Sequence, residues 1–133
     1  MTSTAILFPG QGSQVVGMGR ELCDAYPVAR ETFAEADAIA GFPLSALCFD
    51  GPKEVLTETR NAQPAILATS IAAWRVLTAE RPELALPNFV AGHSLGEYSA
   101  LVAAGALSFP DAVRLTRDRG ELVAEAGEGA GKG

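Results

Sequence analysis

The residues best suited to chemistry form the segment Gly92-His93-Ser94-Leu95-Gly96, a G-x-S-x-G pattern between an apolar segment and a helical one. In this pattern the serine occupies a tight strand-to-helix turn that raises its hydroxyl above the edge of a sheet. Bulky side chains two residues to either side would collide, which explains the two glycines. The pattern predicts Ser94 as a nucleophile. The alternative is a loop that matches by chance.

A serine nucleophile needs N–H donors for the oxyanion that forms during acyl transfer. The N–H of Leu95 is one candidate, at the positive end of the helix that follows. The N–H of Gln11 is a second, because hydrolase-like proteins take this donor from the loop after a neighbouring strand. Gln11 lies in the segment Phe8-Pro9-Gly10-Gln11-Gly12-Ser13-Gln14, for which a plain turn or a phosphate loop are the alternatives. No lysine follows as a P-loop requires.

The chain contains one histidine, His93, directly before the serine. A general base must come within about 3 Å of the serine hydroxyl. In such a turn the side chain of the residue directly before the nucleophile points away from the serine hydroxyl. We therefore expect His93 to be a structural part of the turn, packed on the sheet side, rather than the base.

Apolar and helical patterns predict the elements that position these residues. Residues 4–8 and 88–92 are predicted strands, the first of them apolar on both faces as in a buried parallel sheet. Predicted helices cover residues 19–26, 28–40, 62–80, 95–104 and 109–126, the last opened by a capping box at Ser108. This alternation indicates an α/β fold with a parallel sheet and flanking helices. We expect one domain over 1–126 and a flexible glycine-rich connector over 127–133.

Composition excludes several classes of protein. The net charge of −6 argues against a general nucleic-acid binder. No apolar stretch reaches the roughly 18 residues of a membrane span, and the N-terminus lacks a secretion signal. Cys23 and Cys48 are too few for a zinc site, and we expect buried free thiols. The chain is thus predicted to be cytoplasmic, with no metal, nucleic-acid or membrane partner.

Three segments, 8–14, 63–65 and 92–101, together resemble the malonyl-CoA:acyl carrier protein transacylases of type II fatty-acid synthesis. The resemblance runs from residue 4 to about 127, in the order and spacing of that family. It implies an α/β-hydrolase-like large subdomain, incomplete in this chain, and a ferredoxin-like small subdomain that is absent from it. The family's proteins are more than twice as long, so we expect an N-terminal portion whose catalytic histidine lies beyond residue 133.

The resemblance also implies an activity. Ser94 would take malonyl from its coenzyme A thioester as malonyl-serine, with the N–H groups of Gln11 and Leu95 as the oxyanion hole. The acyl group would then pass to the phosphopantetheine thiol of acyl carrier protein. Malonyl-CoA and acyl carrier protein are the implied partners, no cofactor is required, and we expect the complete enzyme to be monomeric.

Two further residues receive roles from the resemblance. Arg119 matches the arginine that pairs with the free carboxylate of malonyl, a role suited to a planar guanidinium. From the residues alone, a surface pair of Arg119 with Glu121 or Glu125 is the simpler interpretation. Gln63 matches a pocket-lining position, and capping of a helix start is its alternative.

Other functions stay open from sequence. The acyltransferase of a polyketide or type I synthase is the nearest alternative, although a strand beginning at residue 4 favours a free-standing enzyme. A serine hydrolase is more distant, because it has no use for a carboxylate-binding arginine. Without a base the chain on its own could also be a non-catalytic binding unit, and we expect it to be inactive in isolation.

Overall fold

The computed structural model describes residues 3–131, with side chains through Gly127. Two strands, β1 (Ala5–Phe8) and β2 (Phe89–Gly92), form a parallel pair in which Ala5 lies opposite Phe89 and Phe8 opposite Gly92. A parallel pair requires a long crossover between its strands. Five helices supply this crossover, which brings the carboxyl ends of both strands to the same edge.

The described helices alternate with the strands as the α/β prediction requires. In chain order they are α1 (Arg20–Ala25), α2 (Pro27–Ala40), α3 (Leu44–Asp50), α4 (Lys53–Thr57), α5 (Thr59–Glu80), a short 3-10 turn (Pro82–Leu84), α6 (Gly96–Ala103) and α7 (Phe109–Gly131). The predicted parallel α/β class is therefore confirmed.

Helix α5 is the centre of the core. It packs against α2 and α7 on its sides and against α6, and eleven of its residues are buried. Small side chains such as Ala62, Ala65 and Ala68 let the neighbouring helices approach closely, while Leu67 and Ile71 fill the space between them. Burial of this apolar face stabilises the helix even though Pro64 lies within it.

Several predicted boundaries hold and others need correction. Ser108 Oγ accepts a hydrogen bond from the Asp111 N–H at 3.2 Å, which confirms the capping interaction at the start of α7. The short helices α3 and α4 and the 3-10 turn were not predicted, because proline and glycine interrupt their apolar periodicity. Helix α5 begins at Thr59, three residues before the predicted start.

The expectation that β1 is buried on both faces is wrong. Leu7 is 75% exposed and Phe89 on β2 is 69% exposed. Within residues 3–131 the sheet has two strands, on which α6 packs, while Trp74 of α5 contacts Phe8 with ring centres 6.3 Å apart. An apolar sequence shows that burial of the strand would be favourable. It does not show which elements cover the strand.

Helix α7 continues to Gly131 rather than ending near residue 126. The described part of the predicted connector, 127–131, is therefore helical, and residues 132–133 lie outside the described residues. Each added residue extends an existing hydrogen-bonded helix, which offsets part of the cost of about 1 kcal/mol per glycine.

No helix in residues 3–131 is long and apolar enough to cross a membrane. The same residues contain no cluster of three or more His, Cys, Asp or Glu side chains that could bind a metal ion.

Both cysteines are buried free thiols, as predicted. Cys48 is fully buried in the core beside α5, and burial raises the pKa of its thiol to about 12. Burial also raises the pKa of Cys23. The thiolate is the reactive form, so both groups should be inert in the folded chain.

We predict that Cys48 reacts with Ellman's reagent far more slowly in the native protein than after unfolding. A pKa of about 12 against an ordinary value of 9.0 lowers the thiolate fraction at pH 8 by about a thousandfold. A Cys23→Ser variant isolates Cys48, and guanidinium-unfolded protein supplies the reference rate. Equal rates in the native and unfolded protein would contradict the burial of this thiol.

Candidate active site

The turn at Ser94 has the backbone geometry of a nucleophile elbow. Ser94 has φ +54°, the only positive φ at a non-glycine residue in the described chain. A Cβ on Gly92 would lie 2.0 Å from the carbonyl carbon of Gly96, and a Cβ on Gly96 would lie 2.3 Å from the Phe8 carbonyl oxygen. Both flanking positions therefore require glycine, and the steric prediction from the sequence is confirmed.

The same turn exposes the hydroxyl and begins the next helix. Ser94 is exposed, while Leu95 beside it is fully buried and anchors the turn in the core. The Ser94 carbonyl accepts a hydrogen bond from the Glu97 N–H at 3.0 Å, and the His93 carbonyl accepts one from Gly96 N–H at 3.0 Å. The serine side chain thus stands above the first turn of α6, at the carboxyl edge of the sheet.

The loop after β1 contacts this turn directly. A Cβ on Gly10 would lie 2.3 Å from the His93 carbonyl oxygen, and the His93 N–H donates to the Phe8 carbonyl at 3.2 Å. Gln11 follows Gly10, so its N–H lies in the segment next to the elbow. Among the described residues, neither the Gln11 nor the Leu95 N–H donates a hydrogen bond to another residue. Both amides are therefore available to an external acceptor.

Arg119 on α7 connects the serine to α5. Its Nη2 donates to Ser94 Oγ at 3.1 Å and its Nη1 donates to Gln63 Oε1 at 2.9 Å. The guanidinium carbon lies 5.5 Å from the centre of the Tyr98 ring on α6, within the range of a cation–π contact. Arginine has five N–H donors, so these two contacts leave others for a ligand.

The simpler interpretations of these two side chains do not match the structure. Glu121 pairs with Arg117 and Arg60, each at 3.6 Å, instead of with Arg119. Gln63 is 1% exposed and lies one turn inside α5, so it does not cap the start of that helix. Its buried amide oxygen instead orients the guanidinium toward Ser94.

Three contributors to the site were missed by sequence reasoning. Thr59, the first residue of α5, accepts a hydrogen bond from Gln11 Nε2 at 3.0 Å. Tyr98 contacts Arg119 from α6. Gly120 lies where a Cβ would come within 2.8 Å of the Arg60 Cα, so α7 and α5 touch beside Arg119. Thr59 could not be linked to Gln63 from sequence, because the predicted helix began at residue 62 and α5 begins at Thr59.

The structure corrects one part of the expectation for His93, while its exclusion as the base stays a prediction. No hydrogen bond joins the His93 side chain to Ser94 in the described chain. The side chain is exposed, however, and not packed on the sheet side. Its backbone N–H and C=O contribute to the turn, and its Nδ1 lies 3.5 Å from the position that a Cβ on Gly10 would take.

Comparison with known proteins gives the family. The acyl transferase domain family matches residues 6–133. A malonyl CoA-acyl carrier protein transacylase of Bacillus subtilis is 57% identical over 98% of this chain. A solved acyl carrier protein S-malonyltransferase of Vibrio cholerae is 51% identical over 91% of the chain, with a TM-score of 0.84. A malonyl-transacylase solved in complex with a type II polyketide acyl-carrier protein is 50% identical over 94%, with a TM-score of 0.89.

These matches cover a limited part of each relative. The chain spans 41% of the Bacillus protein, 39% of the Vibrio structure and 40% of the carrier-bound structure. The resemblance predicted from the three segments is nevertheless confirmed over almost all of the chain. On the strength of the elbow, the adjoining loop and these matches, the chain belongs to the acyl transferase domain family.

Proposed function

We propose that this chain is the N-terminal portion of a malonyl-CoA:acyl carrier protein transacylase of fatty-acid biosynthesis. In this proposal Ser94 carries the malonyl group between coenzyme A and the phosphopantetheine thiol of acyl carrier protein. The coenzyme A thioester is a substrate, and no cofactor takes part. We place the complete enzyme in the cytoplasm as a monomer.

The contact between Arg119 and Ser94 carries the proposal. In malonyl thioesters a single methylene separates the free carboxylate from the reacting carbonyl carbon. A carboxylate-binding group must therefore lie immediately beside the nucleophile. The 3.1 Å distance from Arg119 Nη2 to Ser94 Oγ satisfies this requirement. A guanidinium binds a carboxylate through paired, charge-assisted hydrogen bonds, which favours a dicarboxylic acyl group over a neutral one.

The proposed reaction has two symmetrical halves. Ser94 Oγ attacks the thioester carbonyl, and the resulting oxyanion accepts hydrogen bonds from the N–H groups of Gln11 and Leu95. Collapse of this intermediate breaks the carbon–sulfur bond and leaves malonyl-serine. The hydroxyl proton passes to a base beyond residue 133 and from it to the coenzyme A thiolate. The carrier's thiol then attacks the ester by the reverse sequence.

A role in polyketide synthesis is the second candidate. It is favoured by the 50% identity to a malonyl-transacylase solved with a type II polyketide carrier. The chemistry at Ser94 is the same in both cases, and the carrier protein distinguishes them. Rates with a fatty-acid carrier and a polyketide carrier, compared in the complete enzyme, would separate the two. A serine hydrolase fits the site less well, because Arg119 would serve no purpose beside a neutral acyl chain.

Replacement of Arg119 by alanine should reduce malonyl transfer selectively. We expect kcat/KM with malonyl-CoA to fall roughly a hundredfold, the scale of a lost charge-assisted contact, and acetyl transfer to fall much less or improve. The measurement is steady-state kinetics of the complete enzyme with both thioesters. Arg114→Ala is the matched control, because Arg114 lies on the same helix and pairs with the exposed Asp111 instead of with a site residue.

An equal loss with malonyl-CoA and acetyl-CoA would make Arg119 a structural residue and would remove the main support for dicarboxylate specificity. A comparable loss in Arg114→Ala would show that replacing an arginine of α7 lowers malonyl transfer irrespective of its contact with Ser94.

Residues 1–133 alone should show only trace malonyl transfer. His93 is the sole histidine of the chain, and its side chain makes no hydrogen bond to Ser94 in the part that the structure describes. Without a base the serine stays protonated at neutral pH, and the oxyanion hole supplies only residual catalysis. The assay compares the purified chain with the same chain mixed with a separately made C-terminal piece. Robust turnover by residues 1–133 that His93→Ala abolishes would identify His93 as the base.

A further inference from the structure

We propose that Thr59 is a positioning residue that fixes the oxyanion-hole loop through the side chain of Gln11. This inference rests on the proposed function, since it concerns how the amide next to Ser94 is held. The observation behind it is the hydrogen bond from Gln11 Nε2 to Thr59 Oγ1 at 3.0 Å.

Beyond Gly10, which packs on the His93 carbonyl, the loop has few contacts with other elements. Gly12 has φ +109°, with nothing within 4 Å of the position where a Cβ would be. Ser13 bonds to the Gly10 carbonyl and the Gly12 N–H bonds to Gln14 Oε1, both within the loop. Among the described residues, the bond to Thr59 is the one hydrogen bond that connects residues 11–14 to another element. Gly10 holds the start of the loop against the His93 carbonyl, and the bond to Thr59 holds the loop at Gln11 itself.

Thr59 itself is firmly placed. Gly120 of α7 packs against the first turn of α5, where an added Cβ would lie 3.0 Å from the Thr59 carbonyl oxygen. Arg117 Nη1 donates to Asn61 Oδ1 at 3.3 Å and joins the same two helices. The hydroxyl that accepts from Gln11 thus belongs to a helical turn against which α7 packs closely.

Thr59 and Gln63 are four residues apart on α5 and lie on the same face of the helix. Thr59 contacts the loop that carries one oxyanion donor, and Gln63 contacts the guanidinium proposed to bind the substrate carboxylate. A single helical turn therefore sets both groups relative to Ser94. An oxyanion donor must lie within about 2.7–3.1 Å of the charge that develops, so a loosened loop lowers the rate of acylation.

The test uses the complete enzyme with Thr59→Val, which removes the hydroxyl, and Thr59→Ser, which keeps it. We expect the single-turnover rate of Ser94 acylation at saturating malonyl-CoA to fall five- to tenfold in Thr59→Val, roughly the effect of one hydrogen bond. The KM for malonyl-CoA should be nearly unchanged. Thr59→Ser should stay within about twofold of wild type. Thr57→Val is the matched control, since Thr57 is an exposed threonine two residues earlier.

A double-mutant cycle separates positioning from a general effect on folding. Gln11→Ala removes the other partner but keeps the backbone N–H, so it should slow acylation about as much as Thr59→Val. The double variant should be no slower than either single variant, because both remove the same contact. The rate at which a fluorophosphonate phosphonylates Ser94 should change across the variants in the same way. This reaction uses the oxyanion hole but requires no acyl-CoA.

The possible results separate the role of Thr59 from the proposed function. Unchanged acylation and phosphonylation in Thr59→Val, equal losses in the Ser and Val variants, or additive losses in the double variant would each overturn the role of Thr59. A wild-type enzyme that reacts with the fluorophosphonate but not with malonyl-CoA would refute the proposed function. The phosphonylation rates of the variants would then still test the loop.

Discussion

The tight turn at Ser94 is the constraint on which the rest of the site depends. A serine in the left-handed region costs roughly 1–3 kcal/mol, and it persists only where the surrounding structure enforces it. Here enforcement comes from backbone contacts that leave no room for a Cβ at Gly92, Gly96 or Gly10. Those contacts join the elbow to the end of β1 and to the following loop. The same close packing that strains the serine therefore brings a second loop amide beside it.

The first turn of α5 positions the side chains around the nucleophile. Gln63 orients Arg119 toward Ser94, and Thr59 contacts Gln11 of the neighbouring loop. Helix α7 approaches this turn at Gly120, directly after Arg119 in the chain. The nucleophile, the loop and the arginine come from three separate parts of the sequence. The buried core around α5 sets their relative positions, which makes the stability of this core a condition of the site's geometry.

The sequence was most informative where local sterics decide the structure. The elbow, the parallel α/β class and the capping of α7 by Ser108 all follow from residue types at fixed spacing. The sequence was least informative about contacts between distant segments. The bond between Gln63 and Arg119 joins residues 56 positions apart, and that between Gln11 and Thr59 residues 48 apart, so no local pattern encodes them. The exposure of Leu7 could not be predicted either, because it depends on which elements cover the sheet.

The central claim is that Ser94 carries the acyl group, with its carboxylate at Arg119. The most direct measurement is mass spectrometry of peptides from the complete enzyme after brief incubation with malonyl-CoA and acid quench. Our account predicts one malonyl group on the peptide that contains Ser94, absent from Ser94→Ala and depleted in Arg119→Ala. A malonyl adduct that persists in Ser94→Ala, or that maps to another residue, would contradict it.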